Sequence, residues 1–228
     1  MPSRFFRRAI DWSAYRARLD LAPPPGIEPP DPQYNIAPGA FAPILRIAPD
    51  GEYAPRGAIQ IALAYWGLIP VWWNKPLSEK TFSTFNARAE TITESNTFSG
   101  AFRQGRCLVP ASGFYAWSGP RGQSTLFAIG PADRTWFCFA GLWSRWMYEG
   151  SEIDTFAIIT CQPSLALAGI AESMPVILSP ADYAAWLDPF AQRPESLLKP
   201  SPPDALRVWP AHPSVGNVRN QGADMPGE

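Results

Sequence analysis

The chain has 228 residues, of which 46% are hydrophobic and 17% charged, with a formal net charge of −1. A nearly neutral chain has no overall field that draws it onto a polyanion, so any nucleic-acid binding must come from a local basic face. No run approaches the roughly 18 uncharged apolar residues that a membrane-spanning helix needs. We therefore predict a single domain over residues 1–228, in a soluble cytoplasmic protein with neither a membrane span nor a signal peptide.

The cysteines and the histidine exclude the common zinc sites. Cys107, Cys138 and Cys161 form no CxxC pair, and His212 is the one histidine of the sequence. We predict no metal and no cofactor. Cys107 and Cys138 lie in apolar runs, where buried and unreactive thiols are expected.

The N-terminal region predicts a short amphipathic helix. WSAYRARLDL places Trp12, Tyr15 and Leu19 on one helical face, behind Asp11 as a possible N-cap. Five arginines within residues 1–20 fit either a basic binding face or a solvated helix surface. The proline-rich segment 22–38 then predicts an extended ordered loop.

Short strand patterns dominate the middle of the chain. Six runs bounded by Gly, Pro or polar residues predict strands, namely APILRI, IQIALAYW, STLFAIG, RTWFCFAGLW, DTFAIITC and MPVIL. Helices are predicted at TESNTFSGAFRQ, which precedes an RCLVP strand, at SLALAGI and at PADYAAWL. The C-terminal segment 189–213 is again rich in proline and continues into ALRVWPAHPSVGNV, which predicts a last strand. This order favours an α+β fold over a doubly wound sheet.

Two short segments carry side chains suited to DNA. In WGLIPVWW, a strand would direct Trp72 and Trp73 to opposite faces, so that one indole could stack on an unpaired base, unless both are buried. In FNARAET, an extended backbone would place Asn86 and Arg88 on one face. A carboxamide and a guanidinium so placed can orient a sugar oxygen and hold a phosphate.

Eight segments in succession resemble the motifs of one family: YNIAPG (34–39), WGLIPVWW (66–73), NARAET (86–91), RCLVPASGFYAW (106–117), FAGLW (139–143), FAIIT (156–160), MPVIL (174–178) and VGNV (215–218). This order is similar to that of the SOS response-associated peptidases, also described as abasic-site processing proteins. The resemblance implies a bifurcated, mostly antiparallel sheet with barrel-like character and a groove for single-stranded DNA. It also implies capture of the ring-opened aldehyde of an abasic site.

The family chemistry starts at the N-terminus. Members begin Met-Cys-Gly-Arg-Phe, and after removal of Met the cysteine amine forms a Schiff base with the sugar aldehyde, which the thiol closes to a stable thiazolidine. An Asn orients the sugar, while a Glu and a His transfer protons. Here Asn86 matches the Asn, but Pro2 replaces the Cys, Ala116 the Glu of Gly-Phe-Tyr-Glu-Trp, and Ala171 the His before Met-Pro.

No other residue is expected to restore this chemistry. His212 lies in a segment that is usually structural in the family, Cys107 belongs to an expected core strand, and Glu172 should point away from the Ala171 side if the segment is extended. The binding part of the pattern persists in a set of side chains that we predict to contact DNA: Arg4, Pro38, Trp72, Trp73, Asn86, Arg88 and Trp117. These positions could also be retained for packing alone.

Three interpretations of function follow. The first is a catalytically degenerate module that binds single-stranded or abasic DNA. The second is an enzyme that uses the Pro2 amine, once Met1 is removed, for Schiff-base and lyase chemistry. The third is a scaffold or interaction protein that does not bind DNA.

Overall fold

The computed structural model describes residues 2–21, 26–49, 57–120 and 123–227. Within these ranges the strands are β1 (Phe5–Arg7), β2 (Gln33–Ile36), β3 (Phe41–Ile47), β4 (Ile59–Trp66), β5 (Asn86–Arg88), β6 (Arg106–Ala111), β7 (Gly113–Ser118), β8 (Thr125–Pro131), β9 (Phe137–Tyr148), β10 (Ser151–Cys161), β11 (Met174–Pro175), β12 (Ile177–Leu178) and β13 (Leu206–Pro210). The α-helices are α1 (Trp12–Leu19), α2 (Ser99–Gln104) and α3 (Tyr183–Leu187). Short 3-10 helices are found at Leu77–Glu79, Ala89–Thr91, Leu165–Leu167, Pro180–Asp182, Pro194–Leu197, Pro203–Ala205 and Pro213–Gly216.

Five of the strands close into a barrel. β10 pairs with β9 as an antiparallel hairpin and with β4 in parallel, and the antiparallel pairs β4–β3, β3–β6 and β6–β9 complete the ring. β10 also carries β5 in parallel and β11 in antiparallel pairing, so the sheet branches along this strand. The α+β class and the barrel-like, mostly antiparallel sheet are thereby confirmed.

A second sheet, in the order β13-β8-β7-β1-β2, holds the N-terminus against β7. Phe5 lies opposite Phe114 and Phe6 opposite Gly113 in this antiparallel pairing. A Cβ added at Gly113 would lie 2.4 Å from the Phe6 ring and 2.5 Å from the Ile129 carbonyl oxygen, so the close approach of these strands requires glycine. The pairing brings the first residues of the chain beside the GFYAW segment.

A buried arginine on β3 is paired with a carboxylate on β10. Arg46, 2% exposed, lies 2.9 Å from the Asp154 carboxylate and stacks on the Trp143 ring. Cys107 and Cys138 are buried as predicted. Burial raises the pKa of both thiols, that of Cys138 to about 12, so both remain protonated at neutral pH.

The sequence predicted the strands better than the helices. Five of the six strand runs are confirmed, as are the RCLVP strand and the last strand in ALRVWPAHPSVGNV. The sixth run, MPVIL, forms two short strands, β11 and β12, with different partners. Helix α1 and its cap are also confirmed, since the Ala14 N–H donates to Asp11 Oδ1 at 2.8 Å. The predicted helix at 93–104 is formed only over α2, and the one at 164–170 is reduced to the 3-10 turn Leu165–Leu167. At PADYAAWL a 3-10 turn precedes α3.

The segment predicted as a loop over 22–38 is partly a strand. Residues 22–25 lie outside the described ranges, and β2 occupies part of the remainder, where it pairs with β1. The prediction missed β2 because the strand occupies the short interval without proline between Pro32 and Pro38. The segment 189–213 includes 3-10 turns and the strand β13.

Candidate functional site

A cavity of about 540 Å³ lies beside the N-terminus. Its walls are β7 and the loop 169–173, and the Ser118 hydroxyl joins them by donating to the Gly169 carbonyl at 2.9 Å. The lining residues are Pro2, Phe114, Tyr115, Ala116, Trp117, Ser118, Gly119, Gly169, Ile170, Ala171, Glu172 and Ser173. We call this space the Pro2 cavity. Its size falls in the range of small-molecule sites.

The three positions at which the sequence departs from the family motif meet in this cavity. Pro2, Ala116 and Ala171 come from separate parts of the chain, yet all three line it. Ala116 and Ala171 present methyl groups where the resemblance implies a carboxylate and an imidazole. The cavity walls therefore lack the proton-transferring groups that the family chemistry uses.

Asn86 reaches the N-terminus directly. It lies on β5, opposite Ile158 of β10, and its Nδ2 donates to the Pro2 carbonyl oxygen at 2.6 Å. Its Oδ1 is buried and has no hydrogen-bond partner among the described residues. A buried carboxamide oxygen that has lost its water is stabilised by a donor, and a sugar hydroxyl would supply one.

A second cavity, of about 350 Å³, adjoins the first. Glu172 and Ser173 line both spaces, and the second is completed by Arg88, Glu90, Thr91, Thr160, Cys161 and Gln162. Arg88 follows Asn86 on β5 at a spacing of two, as predicted, and its side chain is exposed. A guanidinium in this position can pair with a phosphate that enters beside the Pro2 cavity.

Glu172 corrects one prediction. The sequence analysis expected its side chain to point away from the Ala171 side, because neighbours in a strand alternate. Residues 171–173 do not form a strand, however, and Ala171 and Glu172 both line the Pro2 cavity. The strand signal of MPVIL begins only at Met174, so alternation had no basis before it.

The tryptophans are distributed over different surfaces. Trp117, 38% exposed, lines the Pro2 cavity, whereas Trp72, 55% exposed, lines a separate cavity of about 340 Å³. Trp73 is half-buried and packs edge-on against Phe82. The expected strand alternation is wrong here, since β4 ends at Trp66 and both indoles lie in or next to a turn.

Arg4 and Pro38 do not line the Pro2 cavity. The Arg4 carbonyl accepts from the Tyr115 N–H at 3.1 Å, and its half-buried side chain donates to the Ser3 carbonyl at 2.9 Å. Burial lowers the pKa of Arg4. Pro38 lies half-buried in the turn after β2. Their observed contacts support the N-terminal strand and its neighbours.

Asn35 explains why two of the motifs occur together. Its buried Nδ2 lies within hydrogen-bonding distance, 3.0–3.2 Å, of the carbonyls of Val215, Asn217 and Asn220. The YNIAPG and VGNV segments are therefore joined by one carboxamide, a role that the sequence did not suggest. Since this contact is structural, the two motifs serve to hold β2 against the C-terminal segment.

No thiol or imidazole of the described chain lines the Pro2 cavity. Cys161 lines the second cavity, where burial, and then the nearby Glu90, raise its pKa to about 12. His212 caps the 3-10 helix Pro213–Gly216, since its side chain accepts from the Ser214 N–H. An aminothiol is thus not rebuilt from other parts of the described chain.

The described residues contain neither a candidate metal-binding cluster nor a candidate membrane-spanning helix. Over the described ranges, no group of three or more His, Cys, Asp or Glu side chains could hold a metal ion. Nor does this part of the chain contain a helix long and apolar enough to cross a membrane.

The fold and the cavity define a class of protein, a small α+β barrel in which Pro2 lines a pocket and accepts a hydrogen bond from Asn86. A sequence profile described as SOS response associated peptidase (SRAP) matches residues 1–218, and the chain belongs to this family.

Similar proteins include the abasic site processing protein YoaM of Bacillus subtilis, 34% identical over 85% of this chain and 84% of its own, and YedK of Escherichia coli, 29% identical over 86% and 85%. A crystal structure of a Bordetella bronchiseptica protein superposes with a TM-score of 0.76 at 25% identity, covering 92% of this chain and 99% of that one. The family supports a function associated with abasic sites in DNA.

Proposed function

We propose that this protein binds single-stranded DNA at abasic sites and does not close the stable thiazolidine cross-link. The observation that carries the proposal is the meeting of Pro2, Ala116 and Ala171 in one cavity, with Asn86 still bonded to Pro2. The pocket has the size and position to receive a sugar. Pro2, Ala116 and Ala171 stand at the positions where the family resemblance implies the thiol, the carboxylate and the imidazole that complete the reaction.

Two side chains beside the cavity suit the rest of a DNA strand. Trp117 exposes part of its indole at the cavity wall, and such a surface stacks on any unpaired base. Arg88 presents a guanidinium in the adjoining cavity, where it can neutralise a phosphate. Trp72 offers a further exposed indole on a separate surface. Because neither stacking nor phosphate pairing reads base identity, binding should depend little on sequence.

A salt titration with a single-stranded abasic oligonucleotide tests the binding. Trp117→Ala should weaken it by about 1–3 kcal/mol, the usual worth of one stacked base. Arg88→Ala should weaken DNA binding. It should also reduce the slope of log affinity against log salt concentration by about one, because one phosphate contact is lost. Two exposed side chains that line neither cavity beside Pro2 supply controls, Phe190→Ala and Arg16→Ala.

Equal affinity of wild type and both cavity variants would contradict the binding site. Absence of binding at low salt would contradict the DNA proposal as a whole and favour the interpretation as a scaffold protein. Stronger binding to intact duplex than to single strands would also count against it, because a cavity of this kind needs an unpaired sugar.

A second candidate function uses the Pro2 amine. If Met1 is removed, Pro2 presents a secondary amine, and α-amino groups titrate at about 7.7–8.0, so a minor neutral, nucleophilic fraction exists at pH 7. The contact of Asn86 with Pro2 favours this candidate, because the same carboxamide has a free oxygen to orient a sugar. The amine would form an iminium with the aldehyde, followed by slow strand cleavage.

Borohydride trapping tests this second candidate. Protein shown by intact mass to lack Met1 should give a trapped adduct with single-stranded abasic DNA, and protein acetylated at the Pro2 amine should not. Equal trapping in both forms, or none in either, would contradict amine chemistry while leaving the binding proposal intact. Retention of Met1 would also remove this candidate, since Pro2 would then be an ordinary peptide residue.

A further inference from the structure

We propose that Glu172 is the proton acceptor for strand cleavage in the Pro2 cavity. This inference rests on the second candidate function, the chemistry of the Pro2 amine. Its carboxylate lines the same cavity as Pro2, and among the residues described there it is the one carboxylate on the cavity wall. It differs in position from the Glu that the family resemblance implies, whose place is taken by Ala116.

The Glu172 side chain is exposed, and the loop that carries it is hydrogen-bonded at both ends. Glu172 is exposed and makes no hydrogen bond or ion pair with other residues in the described ranges. Before it, the Ala171 N–H donates to the Leu167 carbonyl at 3.1 Å. After it, Met174 and Pro175 pair with the end of β10. The loop is therefore held at both ends.

The position of Glu172 between the two cavities suits elimination. The sugar would occupy the Pro2 cavity, and Arg88, which lies opposite Thr160 on β10, lines the neighbouring cavity that shares Glu172 and Ser173. A phosphate that leaves from the sugar would pass from one cavity toward the other. Glu172 lies at their common wall, where its carboxylate can face a sugar bound in the Pro2 cavity.

The reaction balances without a further reactant. The neutral Pro2 nitrogen attacks the C1′ aldehyde carbon, and its own proton passes to the new hydroxyl group. This hydroxyl takes one more proton from solvent and leaves as water, which gives a cationic iminium. Its positive charge acidifies C2′, and the Glu172 carboxylate takes the C2′ proton. The electron pair forms the C2′–C3′ double bond while the C3′–O bond breaks and the phosphate leaves with that electron pair. Water then hydrolyses the conjugated iminium, which restores the amine, and the carboxylic acid returns its proton to solvent.

Glu172→Gln separates this role from the role of Pro2. The glutamine keeps the size and polarity of the side chain but cannot accept the proton. In protein that lacks Met1, the variant should give a borohydride-trapped adduct comparable to wild type, while nicking of single-stranded abasic DNA falls by about 10²-fold, within the range for lost general acid–base catalysis. Glu172→Asp should recover part of the nicking rate.

Glu94→Gln is the matched control, because Glu94 is exposed and lines neither cavity beside Pro2. This variant should trap and nick like wild type. DNA affinity of each variant, measured by fluorescence anisotropy, shows whether binding is intact.

The outcomes distinguish the two levels of the proposal. Trapping and nicking by wild type, with equal nicking by Glu172→Gln, would overturn the role of Glu172 and leave the Pro2 chemistry standing. Absence of trapping by wild type would overturn both. Parallel loss of trapping, nicking and binding in Glu172→Gln would show a structural role and would also overturn the proposal.

Discussion

The barrel and the Pro2 cavity differ in how their polar groups are satisfied. Inside the barrel, the buried arginine Arg46 is paired with Asp154. In and beside the cavity, the Asn86 Oδ1 and the Ser173 hydroxyl are buried without hydrogen-bond partners among the described residues. An ion pair on a barrel strand contributes to the fold, whereas buried polar atoms beside a cavity can be satisfied by a ligand. The contrast separates the scaffold from a cavity in which Pro2, Ala116 and Ala171 stand at the family's reactive positions.

The largest expected effect comes from restoring those groups. Pro2→Cys alone supplies the amine and thiol but leaves proton transfer unassisted, so it should cross-link abasic DNA slowly. Adding Ala116→Glu and Ala171→His should accelerate the cross-link by about 10²–10⁴-fold, the range for general acid–base assistance. The measurement is the rate of heat-stable adduct formation with protein freed of Met1. A triple variant no faster than Pro2→Cys would mean that the cavity positions have been assigned wrongly.

Breaking the ion pair of the barrel should affect stability and not the cavity. Asp154→Asn removes the carboxylate charge that lies against both the buried Arg46 and Arg145, and the free energy of unfolding in urea should fall by about 3–5 kcal/mol. Glu152→Gln is the control, because Glu152 is half exposed and pairs with Arg145 at the surface, where a pair is worth about 0–1 kcal/mol. Similar losses in the two variants would show that burial of Arg46 does not set the cost.

A smaller loss is expected where two motifs meet. Asn35→Ala removes the carboxamide that bonds to the 215–220 segment, and the buried carbonyls left without a donor should lower the free energy of unfolding by about 1–3 kcal/mol. Asn217→Ala changes an exposed carboxamide of that segment and should be nearly neutral. If Asn35→Ala instead left stability unchanged and weakened DNA binding, the motif would belong to the site and not to the scaffold.

The sequence predicted most of the sheet because its strand signals are local. APILRI and IQIALAYW are runs of apolar and β-branched residues, and they form β3 and β4 as predicted. It could not predict the closure of β9, β10, β4, β3 and β6 into a barrel from the residues alone, since closure depends on pairings between distant segments. The helices predicted at 93–104 and 164–170 are longer than those observed. Their apolar residues have helical spacing, but much of each segment forms turns in the folded chain.

The site was predicted as a set of positions and not as an arrangement. The family resemblance indicated Pro2, Ala116 and Ala171, but the antiparallel pairing of β1 with β7 is what brings Pro2 to Ala116. Glu172 was not predicted to line the cavity with Ala171, because the alternation of side chains in an extended strand was assumed for a segment that forms a loop. Trp72 and Trp117 were both predicted to contact DNA, and the structure places them in different cavities. Such differences arise from tertiary contacts, which a local pattern does not contain.

The most direct test of the account is the fate of single-stranded abasic DNA after incubation with the protein and without a reductant. The account predicts a complex under native conditions that heat and denaturant dissociate fully, so that denaturing electrophoresis and intact mass show only free protein and free DNA. A species with the combined mass of protein and oligonucleotide that survives both treatments would contradict it. Such an adduct would show that the cavity at Pro2 still completes a durable cross-link.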